Sequence, residues 1–265
     1  MNDIAVLLII GVLAGVMAGM FGIGGGVVMV PALIALMHYS LTQANGTSLA
    51  ALMMPVGIFA VFAYHKKDLL DIRVSAFLAV GLLLGVLFGA KLALSMPTDI
   101  LKQIYGLFLI WVSWRFFEIK SITNKSQNSD KTREENINKV EQEKILPFYL
   151  LLPFGILAGV LSGLFGIGGG LIIVPMLITF MKFNPKKAVG TSLGALLLPV
   201  ALPGVITYYN AGQLHIFASG LLAAGLVLGS IIGAKITISL PVSIVKRVFA
   251  LFLLIIALQF IISGF

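Results

Sequence analysis

The segment Phe21-Gly-Ile-Gly-Gly-Gly26 returns as Phe165-Gly-Ile-Gly-Gly-Gly170, 144 residues further along the chain. Around it, Gly11–Pro31 and Gly155–Pro175 agree at 14 of 21 positions without a gap. The same offset places Gly46-Thr-Ser-Leu49 on Gly190-Thr-Ser-Leu193, Gly89-Ala-Lys91 on Gly233-Ala-Lys235, and Pro97 on Pro241. Matches held in one register across most of each half mean a duplicated unit, so whatever the first half folds into, the second must approximate.

What that unit is follows from its solvent. Apolar residues make up 59% of the 265-residue chain and charged ones 11%, with a mean hydropathy of +1.08. Several apolar stretches reach about 20 residues, the length that crosses a hydrocarbon core of ~30 Å. The expected class is an all-α polytopic membrane protein in contact with the lipid bilayer. The first apolar run has no basic region before it and begins the repeated unit, so it is expected to stay in the mature chain. There is no Cys, and the three His do not cluster, so neither thiol chemistry nor a metal site is expected, and no cofactor. A net charge of +8 suits cytoplasmic loops of a membrane protein better than nucleic acid, which is not expected as a partner.

Each half reads as five hydrophobic segments. In the first they are Ile4–Phe21, Val27–Met37, Ala44–Tyr64, Val74–Met96 and Ile100–Phe117; in the second, Leu146–Phe165, Leu171–Met181, Val189–Tyr209, Ile216–Leu240 and Val242–Ser263. The polar stretch between them divides the chain into a first repeat (1–117), a linker (118–145) and a second repeat (146–265). Segments two and seven, about 11 residues and so near 17 Å, span roughly half a bilayer. Lys and Arg alternate sides between the halves: Lys66, Lys67 and Arg73 follow segment three, whereas Lys182, Lys186 and Lys187 follow segment seven. An odd number of segments per copy inserts the copies in opposite directions. Placing both termini outside puts 16 of the 18 Lys and Arg, and the whole linker, in the cytoplasm. Inverted repeats of this kind are a transporter architecture, with the site near mid-depth where the repeats meet.

Chemistry is expected at three places. The glycine runs Gly24, Gly25, Gly26 and Gly168, Gly169, Gly170 break the helix before a short segment. Exposed backbone at that depth is tolerated only in protein or around a cavity, and free N–H groups at a helix start favour an anion. The competing structural role is close helix packing at small residues. Asn45, Thr47 and Ser48, with Thr191 and Ser192 in the second copy, offer hydroxyl and amide donors, against which stands ordinary helix capping. Lys91 and Lys235 form a pair of cations, with interfacial snorkelling as the alternative. Pro55, Pro199 and Pro203 mark kinks in segments three and eight. All ten Asp and Glu lie at Glu143 or earlier, each in a terminus, a loop or a segment edge. A carrier without a carboxylate in the membrane is expected to couple through polar groups, or to let an anion run down its own gradient.

The doubled pattern from Ala14 to Pro31 and from Ala158 to Pro175, followed in each half by Gly-Thr-Ser and Gly-Ala-Lys, resembles the TauE/SafE family of sulfite exporters and anion permeases. The resemblance covers nearly the whole chain apart from the linker. It implies a bacterial plasma-membrane transporter for sulfite or a small organosulfur anion such as sulfoacetate, with export expected. Uptake of a carboxylate or sulfonate, a channel-like pore or a membrane interaction protein are the alternatives. The lack of a Ser/His/Asp set, metal-ligand spacing or membrane carboxylate pair in the sequence argues against an enzyme. Asn45 opposite Val189, and Gln43 opposite Lys187, break the symmetry, so the two halves are expected to contribute unequally to a site.

Overall fold

The computed structural model describes residues 3–21, 24–53, 58–118 and 148–239, with 254 and 258 as isolated positions. Most of the linker, and segment ten apart from Leu254 and Leu258, lie outside the described residues. The described residues are helical and contain no strand. The helices are α1 Asp3–Phe21, α2 Gly26–Met37, α3 Leu41–Met53, α4 Ile58–His65, α5 Ile72–Ser95, α6 Thr98–Glu118, α7 Phe148–Phe165, α8 Gly170–Phe180, α9 Pro185–Leu197, α10 Leu202–Asn210 and α11 Ile216–Ser239.

Local chemistry sets the boundaries. Helices α2 and α8 begin at glycine N-caps, Gly25 (φ 78°) and Gly169 (φ 74°), in left-handed conformations that disfavour any residue with a Cβ. They end alike: His38 and Lys182 have positive φ, and the N–H groups of Tyr39 and Phe183 donate back to Leu33 O and Leu177 O. The Asp71 carboxylate caps α5 by accepting from Val74 N at 3.1 Å. Asn184 caps α9 through Lys186 N, with Pro185 in its first turn.

The third segment of the second half, expected as one helix, is broken. In the second copy α9 and α10 bend by 49° across Leu198–Ala201, where Pro199 has no N–H to offer and Pro203 starts the next helix. In the first copy the equivalent residues, 54–57, lie outside the described set between α3 and α4.

The chain divides into two compact units, Met1–Met96 with Ile145–Ser239, and Pro97–Lys144 with Leu240–Phe265. In the second unit, α6 buries Leu101, Tyr105, Leu109 and Ser113 at four-residue spacing and exposes Leu107, Trp111 and Trp114. In the first, the two halves interleave: the longest packing seams join α5 to α7 and α1 to α11. Both seams are glycine ladders. Gly81 and Gly85 lie on Gly155 and Gly159, Gly89 on Val160 and Leu164, and Gly11 and Gly15 on Gly225 and Gly229, so closely that an added Cβ would strike the opposite backbone. In lipid the hydrophobic effect supplies little force between helices, so this close contact is what holds them. The faces turned away are apolar: Phe77, Val80, Leu84 and Phe88 on α5 are 45%, 55%, 43% and 63% exposed. Such a stripe is costly in water and at home in hydrocarbon.

Candidate functional site

The two glycine turns, 144 residues apart in sequence, meet in the core of the first unit. A Cβ built on Gly24 would lie 3.7 Å from Gly168 Cα, and one on Gly168 would lie 3.8 Å from Gly24 Cα. Both glycines adopt φ 82°. Two positions on from Gly24, Gly26 presses on Gly166 O and Ile167 Cα so tightly that no side chain fits. The starts of α2 and α8 are therefore neighbours. Neither carries a side-chain cap, so the positive ends of two helix dipoles converge without a bonded side-chain acceptor.

The Gly-Thr-Ser motifs hold the halves together. Thr191 Oγ1 accepts from Asp71 N at 3.1 Å, and Ser75 Oγ donates to Thr191 O at 2.8 Å. At the symmetry-related place Thr47 Oγ1 accepts from His215 N at 3.3 Å, and Ser219 Oγ donates to Thr47 O at 3.1 Å. Asp71 and Ser75 stand to His215 and Ser219 at the same 144-residue offset. Beside them Gly46 packs on Gln213 O and Tyr208, and Gly190 on Leu69 O and Tyr64. The buried position of these threonines, which sequence alone placed only a turn or two from the loops, comes from loops of the opposite half docking over them.

The second glycine turn is stapled by donors from the first half and from Tyr208. Asn45 Nδ2 donates to Leu164 O at 2.8 Å, Ser48 Oγ to Gly166 O at 2.8 Å, and the Tyr208 hydroxyl to Gly163 O at 2.9 Å. The corresponding residue for Asn45 is Val189, which has no donor in its side chain. The corresponding residue for Ser48 is Ser192, whose buried hydroxyl has no partner among the described residues.

Between the turns lies a cavity of about 50 Å³ bordered by Gly24 and Gly168. Its walls are otherwise Ala, Gly, Leu and Val, with two hydroxyls, Ser162 and Ser230. Ser230 Oγ donates to Val227 O at 2.9 Å. Ser162 is 2% exposed. Sequence reasoning passed over both serines. The signal for Ser162 was a break in the repeat, since its counterpart is Ala18.

Of the residues singled out from sequence, Gly24 and Gly168 border the cavity. Gly25, Gly26, Gly169 and Gly170 form the adjoining caps and first helical residues, and Asn45, Thr47, Ser48, Thr191 and Ser192 are buried within a shell behind them. Lys91 is exposed on α5, and Lys235 lies on α11 with its side chain outside the described residues. No charged side chain is buried among the described residues, and none of them form a metal-ligand cluster.

Among the described residues, α5 and the Ile216–Gly233 part of α11 are long and apolar enough to cross a membrane, and the bent pair α9–α10 makes a third if taken as one broken span. With apolar outer faces, glycine-mediated seams and helix breaks buried in the core, the fold is that of a polytopic helical membrane protein. Residues 7–260 match the sequence model of the family described as "Sulfite exporter TauE/SafE", and the chain belongs to that family of membrane transporters. It is 30% identical to a probable membrane transporter protein of Methanocaldococcus jannaschii over 87% of this chain and 85% of the relative. A probable membrane transporter protein of Bacillus subtilis is 26% identical over 98% and 97% of the two chains. One from Haemophilus influenzae is 29% identical over 97% of each. No solved structure matches the chain.

Proposed function

We propose that the protein exports sulfite or a small organosulfur anion, a sulfonate of the sulfoacetate type, across the plasma membrane by alternating access. The observation that carries this is the meeting of two uncapped helix N-termini at a cavity, with no buried cation or carboxylate among the described residues to neutralise or oppose them. Each end bears about half a positive elementary charge. Two such ends side by side repel one another, and a bound anion relieves that repulsion while accepting their N–H groups.

The repeat supplies a means of alternation. In the inverted arrangement the two Thr-centred junctions, Thr47 with His215 and Thr191 with Asp71, lie toward opposite faces of the membrane. Opening one while the other stays bonded exposes the cavity to one side at a time. Both termini outside and the linker inside follow from the Lys and Arg distribution. An inside-negative potential favours exit of an anion by about 2.3 kcal/mol per charge per 100 mV, so export needs no coupling carboxylate.

The test is sulfite efflux from proteoliposomes loaded with it, with the potential set by a potassium gradient and valinomycin. Efflux through the protein is expected to accelerate when the interior is made negative and to slow when it is made positive. A flux equal to that of protein-free vesicles at every potential contradicts the proposal.

A further inference from the structure

The two Thr-centred junctions share a backbone and differ in their side chains. In each, a loop N–H turns back on a tyrosine carbonyl, Gln213 N to Tyr208 O at 2.9 Å and Leu69 N to Tyr64 O at 3.0 Å. In each, the carbonyl of that same loop residue seats against a helical glycine of the opposite half, Gln213 O on Gly46 and Leu69 O on Gly190. At the first junction side chains add a clasp. Thr42 Oγ1 donates to Gln213 Oε1 at 2.8 Å and Ser40 Oγ to the same oxygen at 3.4 Å, and the Tyr39 and His215 rings stand 4.6 Å apart. At the second junction the 144-residue offset puts Leu69 in place of Gln213, Lys186 in place of Thr42 and Asp71 in place of His215. A leucine side chain has no acceptor and an aspartate no ring, so neither contact can form there.

We propose that the junctions are unequal gates: the Gln213 clasp holds the outer one shut, so that the unloaded protein opens its cavity to the cytoplasm. This rests on the alternating-access reading and on the orientation given by the Lys and Arg distribution. Charge acts in the same direction as the clasp. Lys66, Lys67 and Arg73 flank one side of the second junction and Lys182, Lys186 and Lys187 the other, against Asp68 and Asp71, whereas the loops of the first, 38–43 and 211–215, contain no Lys, Arg, Asp or Glu. Like charges on two loops that must meet oppose closure, weakly because salt screens them. The short bond from Thr42 and the ring pair together amount to about tenfold in the ratio of the two open states. An exporter so biased waits with its cavity on the side from which the anion comes.

The chain has no Cys, so Ala201→Cys, on the cavity wall, reports the side to which the cavity opens. Its rate of reaction with a membrane-impermeant maleimide, measured without any transported anion in inside-out and right-side-out vesicles, follows the fraction of molecules open to each side. Labelling is expected to be about tenfold faster in inside-out vesicles. Gln213→Leu, which copies Leu69 and removes the acceptor shared by Thr42 and Ser40, is expected to raise labelling in right-side-out vesicles about fivefold, the loss of one net hydrogen bond. The reciprocal graft, Leu69→Gln with Lys186→Thr, rebuilds the clasp at the other junction and should slow labelling in inside-out vesicles by a similar factor. Labelling of Ala201→Cys at least as fast from outside overturns the unequal gates while leaving alternating access in place. So do rates that neither Gln213→Leu nor the graft moves, in protein that melts as the parent does. Folded protein labelled from neither side contradicts alternating access itself, and the gates with it.

Discussion

Gly26 and Gly220 are both helical glycines, and their neighbourhoods give them opposite mutational signs. A methyl group on Gly26 would collide with Gly166 O and Ile167 Cα, whereas one on Gly220 meets nothing within 4 Å. Gly26→Ala is expected to cost about 1–3 kcal/mol by forced overpacking, and Gly220→Ala to add up to about 1 kcal/mol of stability by favouring the helix. Thermal unfolding in detergent of the two variants beside the parent checks both signs. The glycine motif itself was plain in the sequence. Its division of labour was not: spacing cannot tell that Gly24 and Gly168 border a cavity while Gly26 packs against backbone, because the difference depends on which turn of the other half arrives opposite each residue. The same holds for Ser162, one of many hydroxyls in apolar helices until the fold places it at a cavity.

At the level of elements, the second glycine turn is held by the first half. The turn at 163–169 receives donors from Asn45, Ser48 and Tyr208, whereas Val189 stands at the position that repeats Asn45. Asn45→Val, which copies the second half's residue into the first, is expected to lower stability by about 1–3 kcal/mol by leaving Leu164 O buried without its donor. A melting temperature unchanged from the parent contradicts the asymmetry. The substitution of Val for Asn in the repeat was legible as a broken symmetry, but not the acceptor involved. Prolines 199 and 203 correctly marked the bend of the eighth segment, since a missing N–H is a local property. The pairing of α5 with α7 and of α1 with α11 is not local, and apolar helices of similar composition give no pattern of polarity from which to choose partners in lipid.

For the whole molecule, composition alone indicated an all-helical membrane protein, because a helix is the simplest way to satisfy the backbone in hydrocarbon. Orientation rests on the Lys and Arg distribution, and the chain's lack of cysteine makes it directly testable. Ser126→Cys in the linker is expected to react with a membrane-impermeant maleimide only after the cells are opened, and Asn2→Cys to react in intact cells. The reverse pattern contradicts the proposed topology. In the proposed function, two helix starts drawn together by an internal duplication hold an anion. The most direct measurement is an anomalous diffraction map of crystals grown with selenite, whose selenium reports the position of a sulfite-like oxyanion. A selenium peak in the cavity, within hydrogen-bonding reach of the Gly24 and Gly168 turns, is the predicted result. Selenium found only at exposed cations such as Lys91, with the cavity empty at saturating selenite, contradicts it.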